Sequence, residues 1–365
     1  MNQKETDANT IISLVQDLFE ISAVYRHGTE LVISLSHRFD PRSKALKITG
    51  ERLKMAGYRF RIEQIENGAM LYIDPRRQLR IPPLNIILFL ATIFSVYVVP
   101  VFLKNLGVAP SFHQAFNGTI VDLKNGVGIE FTLALMSILL VHEMGHFVAS
   151  RRRNIITSWP YFIPAPNIIG TFGAIIKSRS PFFNRRNLIE VGAAGPLAGW
   201  VIALFWLIYG LSQSTFLPPA GFEIKDFSFA LEGESILMRA ATQAIVGVAP
   251  DGYYYRLTEA AFAGWVGMLV TAINLLPIGQ LDGGHILYGL VRKHQYWLGM
   301  IAMGALFVLG FQSPMWWVFA IFGIIFRVKH PPTINDNVAL PQTAMLMGLA
   351  SIVILILSFT PIPFR

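Results

Sequence analysis

The chain of 365 residues contains no cysteine. Disulfides and thiolate metal ligands are therefore excluded, so a metal ion would be held by histidine, aspartate or glutamate. Charged residues are scarce as well, at 14%, whereas soluble globular domains carry about a quarter. Because 53% of the residues are hydrophobic, the composition predicts a polytopic membrane protein.

The N-terminal segment MNQKETDANT is polar and acidic, and we expect neither a signal peptide nor a transit sequence. A formal net charge of +8 is compatible with binding to nucleic acid or to anionic lipid. Most basic residues flank apolar segments, which is typical of cytoplasmic loops of membrane proteins. The charge distribution therefore favours the lipid bilayer as the partner and disfavours nucleic acid.

Residues 1–80 resemble a small soluble α/β domain that lacks any catalytic constellation, so a packing or regulatory role is expected for it. The apolar spacing and turn residues predict four features here. These are a helix over 10–21 capped by Asn9 or Thr10, a strand over 30–39, a helix over 43–57 ended by Gly57, and a hairpin turning at Asn67-Gly68.

The remainder, 81–365, is predicted to be a mainly α membrane domain with about six or seven transmembrane helices. Its apolar runs approach the roughly 20 residues that span a bilayer as a helix. They cover 84–103, 127–150, 187–212, 259–280, 296–311, 315–328 and 342–362. The fifth and sixth are short, and they form either a tight hairpin or one kinked helix.

Lysine and arginine cluster at alternate ends of these runs, which sets the topology. The clusters are Arg76, Arg77 and Arg80 before the first run, Arg151, Arg152 and Arg153 after the second, Lys177, Arg179, Arg185 and Arg186 before the third, and Arg292 and Lys293 after the fourth. The loops near 104–126 and 213–258 contain fewer basic residues and are expected on the external side. We therefore expect a multi-pass membrane protein with its N-terminal domain in the cytoplasm. A bacterial plasma membrane is the expected location, and an organelle membrane is the alternative.

The second run contains the motif HEMGH, an HExxH pattern. His142 and His146 are four residues apart and share one face of a helix, so both imidazoles can reach one ion. Glu143 lies between them, where it can accept a proton from a metal-bound water. Gly145 leaves room for another helix or a substrate backbone. The alternative is coincidence, with both histidines satisfied by other helices, although ionisable groups inside a membrane usually have a function.

A third ligand is available where the fourth run ends, in NLLPIGQLDGGH. Asp282 lies at the same inferred depth as HEMGH, and two histidines with one carboxylate leave a zinc position open for water or substrate. Asn274 needs a partner inside its apolar run. Pro277 and Gly279 loosen the helix in a way that is tolerated only beside a cavity. The alternative for Asp282 is an ordinary residue at a helix end.

HEMGH together with NLLPIGQLDGGH, across roughly 84–330, resembles the site-2 protease family of intramembrane zinc proteases (peptidase M50). The Gly-Gln-Leu-Asp-Gly-Gly-His variant is most similar to the chloroplast gravitropism-deficient yellow-green proteases and their bacterial relatives. Many members have a second proline where this chain has Gly279. The resemblance implies one Zn²⁺ per chain, bound by His142, His146 and Asp282, with Glu143 as the base. It also implies that Asn274 and Pro277 contact substrate.

Three further segments bear on this resemblance. The segment IIGTFGAIIKSRSP is similar to the family's Gly-x-x-Gly loop, with Gly170 and Gly173, and could pair with an extended substrate by β-augmentation or be a plain interfacial loop. Gly195 and Gly199 have GxxxG spacing and are interpreted as helix packing, with Pro196 as a kink. The loop near 213–258 is too short for a PDZ domain.

His285 follows the aspartate motif and is either a neighbour of the metal ligands or a helix cap. The remaining histidines have no motif context, namely His27, His37, His113, His294 and His330.

These features lead to the hypothesis of an intramembrane zinc metalloprotease that hydrolyses peptide bonds within or near the transmembrane segments of other membrane proteins. An intramembrane metal-ion transporter is the alternative, and it would require several ligand sets along a pathway. A pseudoenzyme is a third possibility, which the intact set of His142, Glu143, His146 and Asp282 disfavours.

Overall fold

The computed structural model describes residues 3–27, 30–36, 44–65, 68–74, 81–153, 155, 157–178, 182, 184–217, 234–325, 328–333 and 335–363. Within these ranges the chain is mainly helical, as predicted. Several residues used in the sequence analysis lie outside the described ranges, namely His37, Asn67, Arg76, Arg77, Arg80, Arg179 and 218–233. The chain divides into two compact units, the first being Met1–Pro83 with Ser150–Trp159 and Ile176–Pro181, and the second the rest.

The first unit contains a four-stranded antiparallel sheet in the order β1-β2-β4-β3, together with two helices. Its elements are α1 (Gln3–Ser13), β1 (Glu20–His27), β2 (Glu30–Ser36), α2 (Lys44–Met55), β3 (Arg59–Ile65) and β4 (Gly68–Asp74). Alternate residues of β4, namely Ala69, Leu71 and Ile73, are fully buried, as the two-residue period of a strand requires, and Ile33 of β2 is buried opposite Leu71. The sheet face that carries them is therefore the core of this unit.

Two details of the first unit differ from the sequence prediction, and one agrees. Helix α1 lies earlier than predicted and contains Asn9 and Thr10, so neither residue is its N-cap. The predicted helix also overlapped β1, because its apolar residues after Ser13 belong to a turn and then to a strand. Gly57 follows α2 with φ of 84°, and its amide donates to the Lys54 carbonyl, as expected for a glycine that ends a helix.

In the described ranges the second unit is built from ten helices and two small two-stranded sheets, the β5–β6 hairpin and the pair β7–β8. The elements are α3 (Pro83–Val108), α4 (Phe112–Lys124), α5 (Ile129–Arg152), β5 (Tyr161–Pro164), β6 (Thr171–Ile175), α6 (Arg185–Leu211), β7 (Thr215–Leu217), α7 (Ile236–Ile245), β8 (Tyr254–Arg256), α8 (Glu259–Asn274), α9 (Asp282–Val291), α10 (Gln295–Leu309), α11 (Met315–Ile325) and α12 (Gln342–Ser358). Its core contains side chains of α5, α6 and α8, including Leu135, Leu207 and Trp265.

Three of these helices, α3, α5 and α6, are long and apolar enough to cross a membrane. Helices α8, α11 and α12 are apolar but shorter. The fifth and sixth apolar runs form the separate helices α10 and α11, which rules out the single kinked helix. The total of six or seven transmembrane helices stays a prediction. Helices α4 and α7 lie in the stretches that the sequence analysis treated as external loops.

Helices α6 and α8 pack closely because glycines face the neighbouring backbone. A Cβ atom on Gly210 would lie 2.0 Å from the Ala261 nitrogen, and one on Gly264 would lie 2.5 Å from the Leu207 nitrogen. Small residues allow this close approach between apolar helices. The pair forms the scaffold from which the chain continues into the irregular segment 275–281 and then α9.

Candidate metal centre

Helix α5 carries the HEMGH motif on a buried face. His142, Glu143 and His146 are 4%, 6% and 9% exposed. The first turn of α5 is tied to α8, because the Glu259 carboxylate accepts hydrogen bonds from the amides of Gly128 (2.8 Å) and Phe131 (3.3 Å). A carboxylate stabilises a helix N-terminus by pairing amides that have no partner within the helix. The position of α5 along its own axis is thereby fixed.

His142, His146 and Asp282 converge at one point. The Nε2 atoms of the two histidines are 3.2 Å apart, and Asp282 Oδ2 lies 3.5 Å from that of His142 and 3.2 Å from that of His146. Ligand atoms about 2.0–2.1 Å from one zinc ion at tetrahedral angles lie roughly 3.3 Å from one another. The three atoms therefore have the spacing of one face of a zinc coordination tetrahedron, and these residues could hold a metal ion.

Hydrogen bonding also orients the imidazole of His146. Its Nδ1 lies 2.8 Å from the carbonyl oxygen of Val191 on α6, to which it donates. The proton is then on Nδ1, so Nε2 keeps a lone pair that points at the other two ligands. A metal-binding histidine usually donates its second nitrogen in this way, which fixes both the tautomer and the ring.

Helix α6 approaches the motif through glycines. A Cβ atom on Gly145 would lie 2.5 Å from the Ala194 carbonyl oxygen, so the helix approach that the sequence suggested for Gly145 is present. A Cβ atom on Gly195 would lie 2.1 Å from His146 Nε2, and one on Gly199 would lie 2.9 Å from the His142 Cβ. The GxxxG pair thus packs, as predicted, but against the two histidines themselves.

Asp282 reaches the histidines because α9 begins close to the preceding loop. A Cβ atom on Gly283 would lie 1.9 Å from the Leu275 carbonyl oxygen, and one on Gly284 would lie 2.3 Å from that of Gly279. Gly279 itself has φ of 55°, in the left-handed region that favours glycine. The two glycines after the aspartate allow the helix to start where the carboxylate meets α5.

Glu143 is buried without a hydrogen-bond partner among the described residues. Among the described residues, the hydrogen bonds and ion pairs of the HEMGH side chains are made by His142 and His146, and none is made by the Glu143 carboxylate. Burying a carboxylate in this way is costly. A carboxylate in such surroundings has its oxygens available to accept a proton.

Asn274 borders the three ligands, and Pro277 lies in the loop that leads to Asp282. The amide nitrogen of Asn274 is 3.5 Å from His142 Nε2, so the side chain faces the same space as the imidazole. The Pro277 carbonyl accepts a hydrogen bond from the Gln295 amide at 3.1 Å. The structure thus brings Asn274 to the centre and places Pro277 in a loop that α10 anchors.

Gly170 and Gly173 belong to the β5–β6 hairpin, and no hydrogen bond among the described residues joins this hairpin to the three ligands. Both glycines have positive φ, 77° and 87°. A Cβ atom on Gly170 would lie 2.5 Å from the Val96 Cα on α3, which gives this glycine a packing role. Gly173 has open space around it, and the neighbouring Phe172 is 72% exposed.

Sequence reasoning missed a second polar cluster next to α9. His285 Nδ1 is 2.6 Å from His330 Nε2, and Tyr288 donates to Asp336 at 2.6 Å. His330 was interpreted as ordinary because it has no motif context, and its partner is far away in the sequence. His285 is not the N-cap of α9, a position that Leu281 occupies.

Apolar helices around a compact set of two imidazoles and a carboxylate define a class, namely a helical membrane-type protein with a buried group of side chains that could hold a metal ion. Comparison with known families narrows this class. Residues 130–311, about half of the chain, match the family model "Peptidase family M50". The chain belongs to this family.

Curated relatives support the assignment. The "Probable zinc metalloprotease EGY1, chloroplastic" of Arabidopsis thaliana is 32% identical over 62% of this chain and 42% of its own length. The "Probable zinc metalloprotease EGY2, chloroplastic" of Oryza sativa subsp. indica is 31% identical over 65% of this chain and 43% of its own length. The matched stretch therefore spans less than half the length of these relatives. No solved structure matches the chain.

Proposed function

We propose that the chain is an intramembrane zinc metalloprotease that hydrolyses peptide bonds in or near transmembrane segments of other proteins. The observation that carries this proposal is the spacing of 3.2–3.5 Å among the Nε2 atoms of His142 and His146 and Asp282 Oδ2. The names of both relatives contain the words "Probable zinc metalloprotease", which supports zinc as the metal. The donor set agrees, since two imidazoles and a carboxylate leave one tetrahedral position open.

Each residue of the centre has a proposed role in hydrolysis. His142, His146 and Asp282 would hold the zinc ion, which when bound would supply Lewis acidity, lowering the pKa of water toward about 7 and polarising a carbonyl. Glu143 accepts a proton from the water whose oxygen attacks the peptide carbonyl carbon. Glu143 then delivers that proton to the amide nitrogen as the carbon–nitrogen bond breaks, leaving a carboxylate and an amine. Val191 holds His146 in the tautomer that this arrangement needs.

Substrate contacts are assigned to the residues around the centre. A peptide bond in a helix is shielded by its hydrogen bonds, so a substrate must be held in an extended form before it is cut. Strand β6 pairs with β5 on one side, and we assign its other edge, at Gly173, to pairing with the extended substrate. The amide and carbonyl of Gly173 bond to the Thr171 hydroxyl, so substrate pairing would replace these two bonds. The Asn274 amide, which borders the ligands, is assigned to the substrate backbone. Gly170 and Pro277 shape these segments.

The membrane arrangement is part of the proposal. We assign the predicted domain 1–80 to the cytoplasm, 81–365 to the membrane protease domain and the stretch near 213–258 to an external loop. Positive residues at alternate span ends support this assignment. A bacterial plasma membrane stays a prediction, which the chloroplast relatives do not support. The transporter alternative gains no support either, since one compact ligand set is found among the described residues.

Glu143→Gln tests this function most simply. In membranes from cells that express this variant, full-length substrate proteins should accumulate that wild-type cells convert to fragments. Purified substrates identified in this way should be cut by reconstituted wild-type protein at least about 100 times faster than by the variant, the contribution expected of a general base. The variant should still bind zinc, since its three ligands are intact. Cleavage by Glu143→Gln at the wild-type rate would overturn the mechanism.

A further inference from the structure

The loop that positions Asp282 is held by a segment near the C-terminus, outside the family-model match. We call residues 328–333 and 335–338 the C-terminal strap. The Gly279 amide donates to the Val328 carbonyl at 3.1 Å. Gln295, which is 1% exposed, donates to the carbonyls of Val328 (2.9 Å) and Pro277 (3.1 Å). Two backbone groups of the irregular loop are therefore paired through the strap and Gln295.

Gln295 also binds the strap a second time. Its Oε1 accepts a hydrogen bond from the His330 amide at 3.1 Å. One buried side chain thus makes three hydrogen bonds, two to the strap and one to the loop. Loss of this amide would leave buried backbone groups without partners, each costing about 1–3 kcal/mol.

The strap contacts α9 itself through a chain of polar groups. His330 Nδ1 lies 2.5 Å from the Pro331 carbonyl and must donate to it, so His330 Nε2 is an acceptor. His285 Nδ1, 2.6 Å away, is then the donor of the bond between the two rings. His285 is in the first turn of α9, three residues after Asp282. Tyr288, one turn further on, donates to Asp336 and stacks on the His330 ring.

Helix α6 anchors the same strap from the other side. The buried Arg185 guanidinium donates to the carbonyls of Asp336 (2.9 Å) and Val338 (3.2 Å), and also to that of Gly289 on α9 (3.0 Å). The strap is therefore bonded to the loop, to α9, to α10 and to α6. Helix α6 also carries Val191, which orients His146.

We infer that the C-terminal strap, with Gln295 and Tyr288 as its main contacts, is a positioning element that sets the distance between Asp282 and the two histidines. This inference rests on the proposed zinc centre. Residues that hold metal ligands in place typically contribute 10–100-fold to metal affinity. Because the strap contacts the loop and the helix that carry Asp282, its contribution to zinc affinity is expected to depend on the presence of the Asp282 carboxylate.

Zinc affinity, measured by competition with a chromophoric chelator on the full-length protein in detergent, tests the inference. Gln295→Met removes three hydrogen bonds at similar volume and should weaken zinc binding about 10–100-fold. Tyr288→Phe removes only the hydrogen bond to Asp336, so it should weaken zinc binding measurably but less than Gln295→Met does. This second variant tests the inference if Gln295→Met does not fold. Thr242→Val is the matched control, since it removes a buried hydrogen bond within α7 and should leave zinc affinity unchanged.

A double-mutant cycle separates positioning from general stability. In an Asp282→Asn background, which lacks the carboxylate, Gln295→Met should change zinc affinity less than about twofold. An equal loss in both backgrounds would mean that the strap only stabilises the fold, and would overturn the inference. Folded Gln295→Met and Tyr288→Phe proteins with wild-type zinc affinity would overturn it as well. Failure of the wild-type protein to bind zinc would instead refute the proposed function.

Discussion

Helix α5 and the segment 275–282 bring the proposed metal ligands to one point in different ways. On α5, His142 and His146 stand one turn apart in a regular helix, whose backbone hydrogen bonds beyond the first turn run within the helix. Asp282 follows an irregular loop whose backbone groups pair with Gln295 and Val328, residues that are distant in the sequence. The first ligand pair is rigid because of its own helix, and the third ligand is rigid because of its surroundings. Damage to either side should therefore have distinct consequences.

The largest effect on zinc affinity is expected from Gly195→Ala, which disturbs the histidines of α5. The new methyl group would lie 2.1 Å from His146 Nε2, so the imidazole must leave its position. Zinc affinity should fall at least about 100-fold, because one ligand is lost. Alanine favours a helix over glycine by up to about 1 kcal/mol, so helix stability does not explain such a loss.

Gly304→Ala on α10 is the control, because no atom lies within 4 Å of the new methyl group. It should bind zinc as the wild type does. Wild-type zinc affinity in Gly195→Ala would show that His146 does not bind the metal in the orientation described.

A smaller effect on zinc affinity is expected from Gly283→Ala, which disturbs the loop before Asp282. Its methyl group would lie 1.9 Å from the Leu275 carbonyl oxygen, so the loop must move and carry Asp282 with it. We expect zinc affinity to fall some tens of times together with a lower Tm, since a loop can shift more easily than a helix. Chelator competition and thermal unfolding measure both quantities. A lower Tm with unchanged zinc affinity would show that Asp282 is insensitive to its loop.

The smallest effect concerns pH and is confined to the aspartate side. Burial lowers the pKa of His330 to about 4, against smaller opposing effects from the Pro331 carbonyl and Asp336. In the unfolded chain the His330 imidazole has a pKa of about 6.5, so between pH 6.5 and 4 it is protonated more in the unfolded than in the folded chain. The contribution of His330 is therefore fully present above pH 6.5 and is lost as the pH falls toward 4, by roughly 3 kcal/mol at most.

His330→Asn tests this pH dependence in the zinc-free protein, where metal release does not interfere. The groups that face His330 are His285, Tyr288, Asp336 and the Pro331 carbonyl, and all of them remain in the variant. The Tm of the variant should fall less steeply between pH 6.5 and 4 than that of the wild type. Parallel curves would show that His330 is not held neutral by burial.

The same comparison explains what could be predicted from the sequence. HEMGH gives two ligands directly, because positions i and i+4 share a helix face whatever the rest of the fold does. The apolar runs predicted the mainly helical class because their length, close to the roughly 20 residues of a membrane-spanning helix, is also a local property of the sequence. Asp282 was predicted to be the third ligand from its carboxylate, its inferred depth and the family motif. The residues around it in the sequence do not determine where it lies relative to α5.

Contacts between residues that are distant in the sequence could not be predicted from the sequence alone. Gly195 and Gly199 were correctly interpreted as packing residues, yet their partners, the histidines of α5, follow from the helix arrangement. His330 and Gln295 have no motif, and their bonds to His285 and Pro277 join segments that meet only in the folded chain. In the first unit, β1 was missed because the apolar residues after Ser13 continued the helical spacing of α1 for several positions.

The central claim is that side chains from α5 and α9 form one metal centre, and zinc stoichiometry with affinity tests it most directly. Wild-type protein, His142→Ala and Asp282→Ala would be loaded with zinc, dialysed and analysed by mass spectrometry of the metal. About one zinc per wild-type chain is expected from a single tetrahedral site, with large losses in both variants. Full zinc retention by Asp282→Ala, or none in the wild type, would contradict the account.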